Sequence, residues 1–292
     1  VLALPGADDL RPLAAGFGRL AAALALPPLA LPWRQTIGGG LDPAPGMGWS
    51  PPEYAPGNDT GWVWSDGPLA RLDLPGALDG FPAGLLCLIE AQPFVPPGAA
   101  GQRLTLALAG PEGGREDGPQ EGGGAAVQQG GGAAVQQAAP GRLAVALLPA
   151  GAATQLVLGL PDAISPAAAG LSDDVRALGI ALSAVELRPL APVPAVGWRI
   201  EGAPGVALAA VDAASLPGAL VLWVEGPGEP PAGLSAAGTI ARPQRHAGGW
   251  RAVVVVPQGE GRLPDLGLLT AVGETVLRLV PAEDRPAKDM PQ

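Results

Sequence analysis

Ala70-Arg71-Leu72-Asp73-Leu74 alternates apolar and polar residues without a break. Period two sends successive side chains to opposite faces, the pattern of a strand with one face buried and one solvated. Just upstream lie Gly48-Trp49-Ser50-Pro51-Pro52-Glu53-Tyr54 and Gly61-Trp62-Val63-Trp64-Ser65-Asp66-Gly67, which hold three of the seven tryptophans and the single tyrosine. Downstream the pattern recurs. Residues 84–91 form a continuous apolar run suited to a central strand, residues 103–108, 142–147 and 155–160 are further strand-like runs, and residues 179–190 make a long strand. Glycine and proline separate these runs at short intervals, as in a sandwich or jelly roll.

The chain has 292 residues, enough for two ordinary domains or one large all-β unit. Gly 45 and Pro 36 together exceed a quarter of it. They punctuate Val/Leu-rich runs instead of filling long tracts, so they read as turns. Net charge is −10 and the pI about 4.5. Nucleic-acid affinity rests on basic patches that release counterions, and the sequence has none, so no nucleic-acid partner and no attraction to anionic membranes are expected. The longest apolar stretch, residues 20–33, is too short to span a bilayer and carries three prolines. Asp8 and Asp9 are unlike the start of a signal peptide.

Residues 1–47 are expected to form an N-terminal arm, with a short helix over residues 10–26 that Pro27-Pro28 ends. Residues 48–190 read as a jelly-roll-like β-sandwich. Within it, residues 122–137 repeat Gly-Gly-Gly-Ala-Ala-Val-Gln-Gln twice. Two copies are too few for a solenoid, so residues 110–141 read as one long Gly-rich loop carrying a slippage duplication. Neither a Lys-Ser/Thr nor a strand-to-helix context accompanies these glycines, which argues against a phosphate cradle. After a linker at Leu190-Ala191-Pro192-Val193-Pro194, residues 195–282 offer four strand candidates and read as a second, smaller β domain whose core takes Trp198, Trp223 and Trp250. Residues 283–292 read as a tail.

The single cysteine, Cys87, lies in Leu85-Leu86-Cys87-Leu88-Ile89 and reads as a small core hydrophobe. One Cys and one His, His246 in a turn, supply neither a zinc site nor a hydrolase triad. No cofactor and no metal are therefore expected. Asn58, Asp59 and Asp66 offer oxygen ligands for calcium without the spacing of a known loop, and read as turn residues. Glu53, Asp59 and Asp66 near three tryptophans would suit a glycosidase acid and base, but paired carboxylates arise by chance in an acidic chain. Flat indole faces beside polar groups suit sugar rings better, so the expected carbohydrate-binding set is Trp49, Glu53, Tyr54, Trp62, Trp64, Asp66 and Arg71. Trp62 and Trp64, two apart, would share a face. Burial in the core is the competing role for these tryptophans.

Residues 164–180 carry Ser165-Pro166, Gly170-Leu171-Ser172-Asp173-Asp174-Val175-Arg176 and Leu178-Gly179-Ile180. Ser172 caps a short helical turn in this reading, Asp173 or Asp174 pairs with Arg176, and the segment crosses over into the long strand. Gly48 to Glu53, Trp64 to Leu72 and Ser165 to Ile180 together resemble a β-sandwich domain appended to bacterial glycosyltransferases and related surface-polysaccharide proteins. The resemblance covers about residues 45–190. It implies a non-catalytic, jelly-roll-like module in a cell-surface glycan context and brings no ligand or catalytic residue with it.

The expectation is an all-β protein of two β-sandwich or jelly-roll-like domains with a short N-terminal arm or helix. Its expected role is non-enzymatic binding of a bacterial surface glycan at the cell surface or in an extracellular assembly. The alternative is a structural subunit of a virion, spike or appendage that forms homo-oligomers; glycoside hydrolysis comes third.

Overall fold

The computed structural model describes residues 28–37, 46–57, 60–78, 84–110, 132–135, 141–148, 153–258 and 265–281. The expected arm helix at residues 10–26, the tail at 283–292 and Asn58 and Asp59 lie outside these residues. Within them the protein is all-β, with twenty strands and no helix. The first half of the chain forms β1 (Trp33–Thr36), β2 (Glu53–Tyr54), β3 (Gly61–Asp66), β4 (Leu69–Leu78), β5 (Leu85–Pro93), β6 (Leu104–Ala109), β7 (Gly132–Val135), β8 (Gly141–Leu147) and β9 (Ala153–Gly159). The long β10 (Leu178–Pro189) follows, then β11 (Val193–Pro194), β12 (Trp198–Glu201), β13 (Ala207–Asp212) and β14 (Ala219–Pro227). The chain continues through β15 (Gly233–Ala236), β16 (Thr239–Ala241), β17 (Gln244–His246), β18 (Gly249–Pro257), β19 (Leu266–Thr270) and β20 (Gly273–Pro281).

Three antiparallel sheets result. A six-stranded sheet runs β2-β3-β10-β5-β8, with β1 in line with β3 on the same edge of β10. A five-stranded sheet runs β11-β13-β14-β18-β17, and a nine-stranded sheet runs β12-β20-β19-β15-β16-β7-β6-β9-β4. Period-two burial states how they stack. On β5, Leu85, Cys87 and Ile89 enter one core with Leu72, Leu106 and Leu156 of the nine-stranded sheet, while Leu86 and Leu88 enter a different cluster on the opposite face. That second cluster joins them to Val221, Trp223 and Val253 of the five-stranded sheet. The other face of β14 and β18, carrying Leu222, Val224 and Val254, meets Leu234, Leu268 and Leu277 at the far end of the nine-stranded sheet.

The order of layers is therefore one end of the nine-stranded sheet, the six-stranded sheet, the five-stranded sheet, and the other end of the nine-stranded sheet. One sheet bends round to supply both outer layers, so β5 and β14 are apolar on both faces, as continuous hydrophobic runs require. The bend depends on β7, which pairs β6 on one side and β16 on the other. β7 lies in the second octapeptide copy, inside the stretch expected to be one long loop. Its Gly-Ala-Ala-Val composition carries little strand signal; two neighbouring edges with open hydrogen-bonding groups recruit it. The residues on either side of 190–195 thus share one sheet and one buried apolar cluster.

Two further expectations change. The helical turn at Ser172 is an open turn in which Ser172 Oγ accepts from Asp174 N at 3.3 Å. Trp223 and Trp250 are buried, but Trp198, at the end of the nine-stranded sheet, is 42% exposed. A four-residue edge strand has too little around it to enclose an indole.

Candidate functional site

On β3, Val63 points into the first core, so Trp62 and Trp64 emerge on the outer face of the six-stranded sheet. Trp64, Ala181 and Gln92 stand in one row across β3, β10 and β5. β10 contributes only small side chains there, Ala181 and Ser183, so the sheet is low between its neighbours. The result is a groove of about 720 Å³ with an indole rail on one side and Glu90, Gln92 and Arg142 on the other. Glu53, opposite Trp62 on β2, closes the indole side. Trp64 is braced by Phe94, whose ring stands edge-on to it at 6.2 Å and 89°. The Phe94 backbone N–H in turn donates to Gly179 O at 2.8 Å.

Ion pairs line both walls. Arg176 donates to Glu53 Oε1 at 3.1 Å and grips both oxygens of Asp174. Of the two expected partners of Arg176, Asp174 is the one it takes. That guanidinium holds the Asp174 carboxyl below its ordinary value, and Asp174 in turn holds the Arg176 proton more firmly. On the other wall Arg34 bridges Glu90 Oε1 at 3.1 Å and Glu186 Oε2 at 3.2 Å. Glu186 also takes Arg142 at 3.2 Å and Arg188 at 2.5 Å. Three arginines on one carboxylate, Arg188 foremost, outweigh its burial and hold it below the ordinary glutamate value. The outer face of the six-stranded sheet therefore has three bands along its length: aromatic groove, charged network, and an apolar end covered by β14 and β18.

The seven residues expected to bind carbohydrate divide. Trp62, Trp64 and Glu53 line the groove together. Tyr54 is exposed at the end of β2 and does not line it; its ring lies over Gly61, where an added Cβ would come within 2.9 Å of Tyr54 Cε1. Trp49 packs on the first core, and its indole N–H donates to Arg71 O at 2.8 Å, so its apolar area is spent on packing. Arg71 shares its strand with the inward Ala70 and Leu72 and so points from the opposite, nine-stranded side of the sandwich. Asp66 is a tether: its carboxylate accepts from Ala177 N at 3.1 Å and holds the crossover into β10. Adjacency in sequence brought these four into the expected set, while strand parity and the turn at Gly67, which carries the chain from the six-stranded to the nine-stranded sheet, send them elsewhere.

The groove also has residues that local reading does not find. Glu90, Gln92, Arg142 and Ser183 come from strands, and Phe94 from just past the end of one, as far as 121 residues from Trp62 in sequence. The sequence hint is small: Glu90 and Gln92 are the polar interruptions of an otherwise apolar run. Among the described residues no three His, Cys, Asp or Glu side chains converge as a metal set, and no helix is long and apolar enough to cross a membrane. His246 sits exposed at the end of β17. No protein-family model, curated protein or solved structure matches the chain.

Proposed function

We propose that the protein is a non-catalytic carbohydrate-binding β-sandwich and that the groove beside Trp62 and Trp64 is its glycan site. The observation that carries this reading is the pairing of two part-buried indoles on one strand with a facing row of carboxylate, amide and guanidinium groups. Sugars present apolar ring faces edged by hydroxyls, so indole stacking plus lateral hydrogen bonds is the matching chemistry. Successive residues on one face of a strand lie about 6.5–7 Å apart, so the two indoles address neighbouring parts of one chain-like ligand. Trp62 and Trp64 make no indole N–H hydrogen bond among the described residues, which leaves both donors for hydroxyls. Bacterial surface polysaccharide is the proposed ligand and the cell surface or an extracellular assembly the proposed setting, in keeping with the sequence resemblance.

The test is tryptophan emission titrated with a panel of bacterial polysaccharides, in the native chain and in Trp62→Ala/Trp64→Ala. Binding that shields the native fluorescence from acrylamide and disappears in the double variant supports the site. Undiminished affinity in the double variant removes it. A second reading, an assembly subunit, draws on the far edge of the nine-stranded sheet, where Trp198 and Val276 are exposed by 42% and 51%. Light scattering decides that reading: copies that associate in the native chain but not in Trp198→Ser favour it.

A further inference from the structure

We infer that the groove takes a glycan bearing free, protonated amino groups, a de-N-acetylated hexosamine chain. The inference rests on the glycan-binding reading above and names the ligand class of that site. Three ionic side chains line the groove: Glu53, Glu90 and Arg142. Each carboxylate is held through one oxygen only. Glu53 Oε1 meets Arg176 at 3.1 Å and Glu90 Oε1 meets Arg34 at 3.1 Å. The second oxygen of each has no hydrogen-bond partner among the described residues, and both side chains are more than a third exposed. The one lining cation, Arg142, is drawn to Glu186 at 3.2 Å.

Two half-satisfied carboxylates, three strand spacings or about 14 Å apart across the sheet, and the two indoles between them form a site for ammonium groups on separate sugars of one chain. An indole face attracts a cation through its quadrupole, and a carboxylate oxygen accepts from the same ammonium. A chain of net charge −10 concentrates cationic ligands near its surface. A uronic or sialic acid fits less well, because Glu53 and Glu90 repel its carboxylate and the nearby arginines already have anions: Arg34 two, Arg142 one, and Arg176 two. A neutral glucan would leave the two free carboxylate oxygens to accept from hydroxyls alone.

The probes are a β-1,4-linked glucosamine hexamer, its fully N-acetylated counterpart and cellohexaose, which share a backbone and differ at one substituent. Calorimetric titration at physiological salt is expected to place the amine at least tenfold tighter than the other two, about 1.4 kcal/mol. Glu53→Gln/Glu90→Gln, checked for an unchanged circular dichroism spectrum and thermal midpoint, is expected to erase that margin. If the double variant does not fold, each single variant is expected to reduce it. Equal affinity for all three hexamers overturns the inference and leaves the glycan-binding reading standing. An amine preference that survives in the folded Gln variants also overturns it, because the attraction is then to the acidic surface at large. Binding of none of the three overturns it as well, and the polysaccharide panel then decides the broader reading.

Discussion

Ser65 and Gly179 interlock: the fully buried Ser65 Oγ accepts from Gly179 N at 3.0 Å and from Ile180 N at 3.0 Å. Two successive N–H groups point the same way here because β10 breaks register against β3 between Leu178 and Ala181. A Cβ on Gly179 would come within 2.9 Å of that same oxygen and 3.0 Å of Leu160. The contact joins Trp64-Ser65 of the second aromatic stretch to the Leu178-Gly179-Ile180 that opens the long strand, more than a hundred residues away. It also seats β3, and with it Trp62 and Trp64, on the sheet.

Ser65→Ala is expected to leave two buried donors without an acceptor and to cost about 1–3 kcal/mol. Thermal unfolding should show a fall of several degrees. A midpoint unchanged within error would mean that β10 re-registers to pair its own N–H groups.

Glu186→Gln removes the anion shared by Arg34, Arg142 and Arg188. The folded carboxyl titrates below its ordinary value of 4.5, so its stabilising contribution is present in full above that value and is lost as pH falls through the lower folded value. At neutral pH the variant should be less stable by about 1.5–3 kcal/mol, the usual worth of hydrogen bonds to a charged group. Chemical denaturation at several pH values should show the gap to the native protein narrowing below pH 4.5. A gap independent of pH would assign the loss to packing.

Cys87 is enclosed in the first core with no exposed surface, and burial pushes its thiol up to about 12. The thiolate is the reactive form, so native protein should resist alkylation by iodoacetamide at about pH 8 while denatured protein reacts fully. Rapid labelling of native protein would reveal frequent opening of β5 against β9 and β6.

The octapeptide duplication makes an unusual deletion test. Removing either copy yields the same chain, which keeps one Gly-Gly-Gly-Ala-Ala-Val-Gln-Gln directly ahead of β8. The single deletion should retain β7, whereas removal of residues 122–137 should separate β6 from β16 and expose both edges. Calorimetry is expected to give one transition for the single deletion and a lowered or split transition for the double. Identical melts for the two would mean that β7 contributes nothing to holding the halves together.

Trp223 fills the apolar cluster between the six- and five-stranded sheets and is 2% exposed. Trp223→Ala should cost about 3–5 kcal/mol. Because the lost contacts lie between layers, the melt should broaden as the two sandwiches uncouple. A small loss with a sharp transition would show that the bent outer sheet alone couples them.

Much of the fold was legible from residues 69–78 onward. Ten of the twenty strands follow directly from period-two or continuous apolar runs, because a residue in a half-buried strand declares its face by its own polarity. The missed ones are short, such as β2, β11, β16 and β17, or chemically plain, such as β7. Their conformation is set by a neighbouring edge, and no local pattern records that. The site was legible by a third: Trp62, Trp64 and Glu53 were found because two tryptophans on one face of a strand stand out in a chain poor in aromatics.

By itself, then, the sequence determined that the described residues are all-β, where their main strands run, that Cys87 is core, and that Trp62 and Trp64 share a face. Tertiary structure decided the rest. β10 takes β3 on one edge and β5 on the other, and that choice alone brings Glu90 and Gln92 across from the indoles. The placing of β4 and β12 in the nine-stranded sheet turns Arg71 away and leaves Trp198 outside the two cores that Trp223 and Trp250 enter, and Trp49 packs on the first core. The physical reason is range. Side-chain alternation is written within a few residues, whereas a strand's partners are selected by the summed burial and hydrogen bonding of segments a hundred residues apart, which no single stretch encodes.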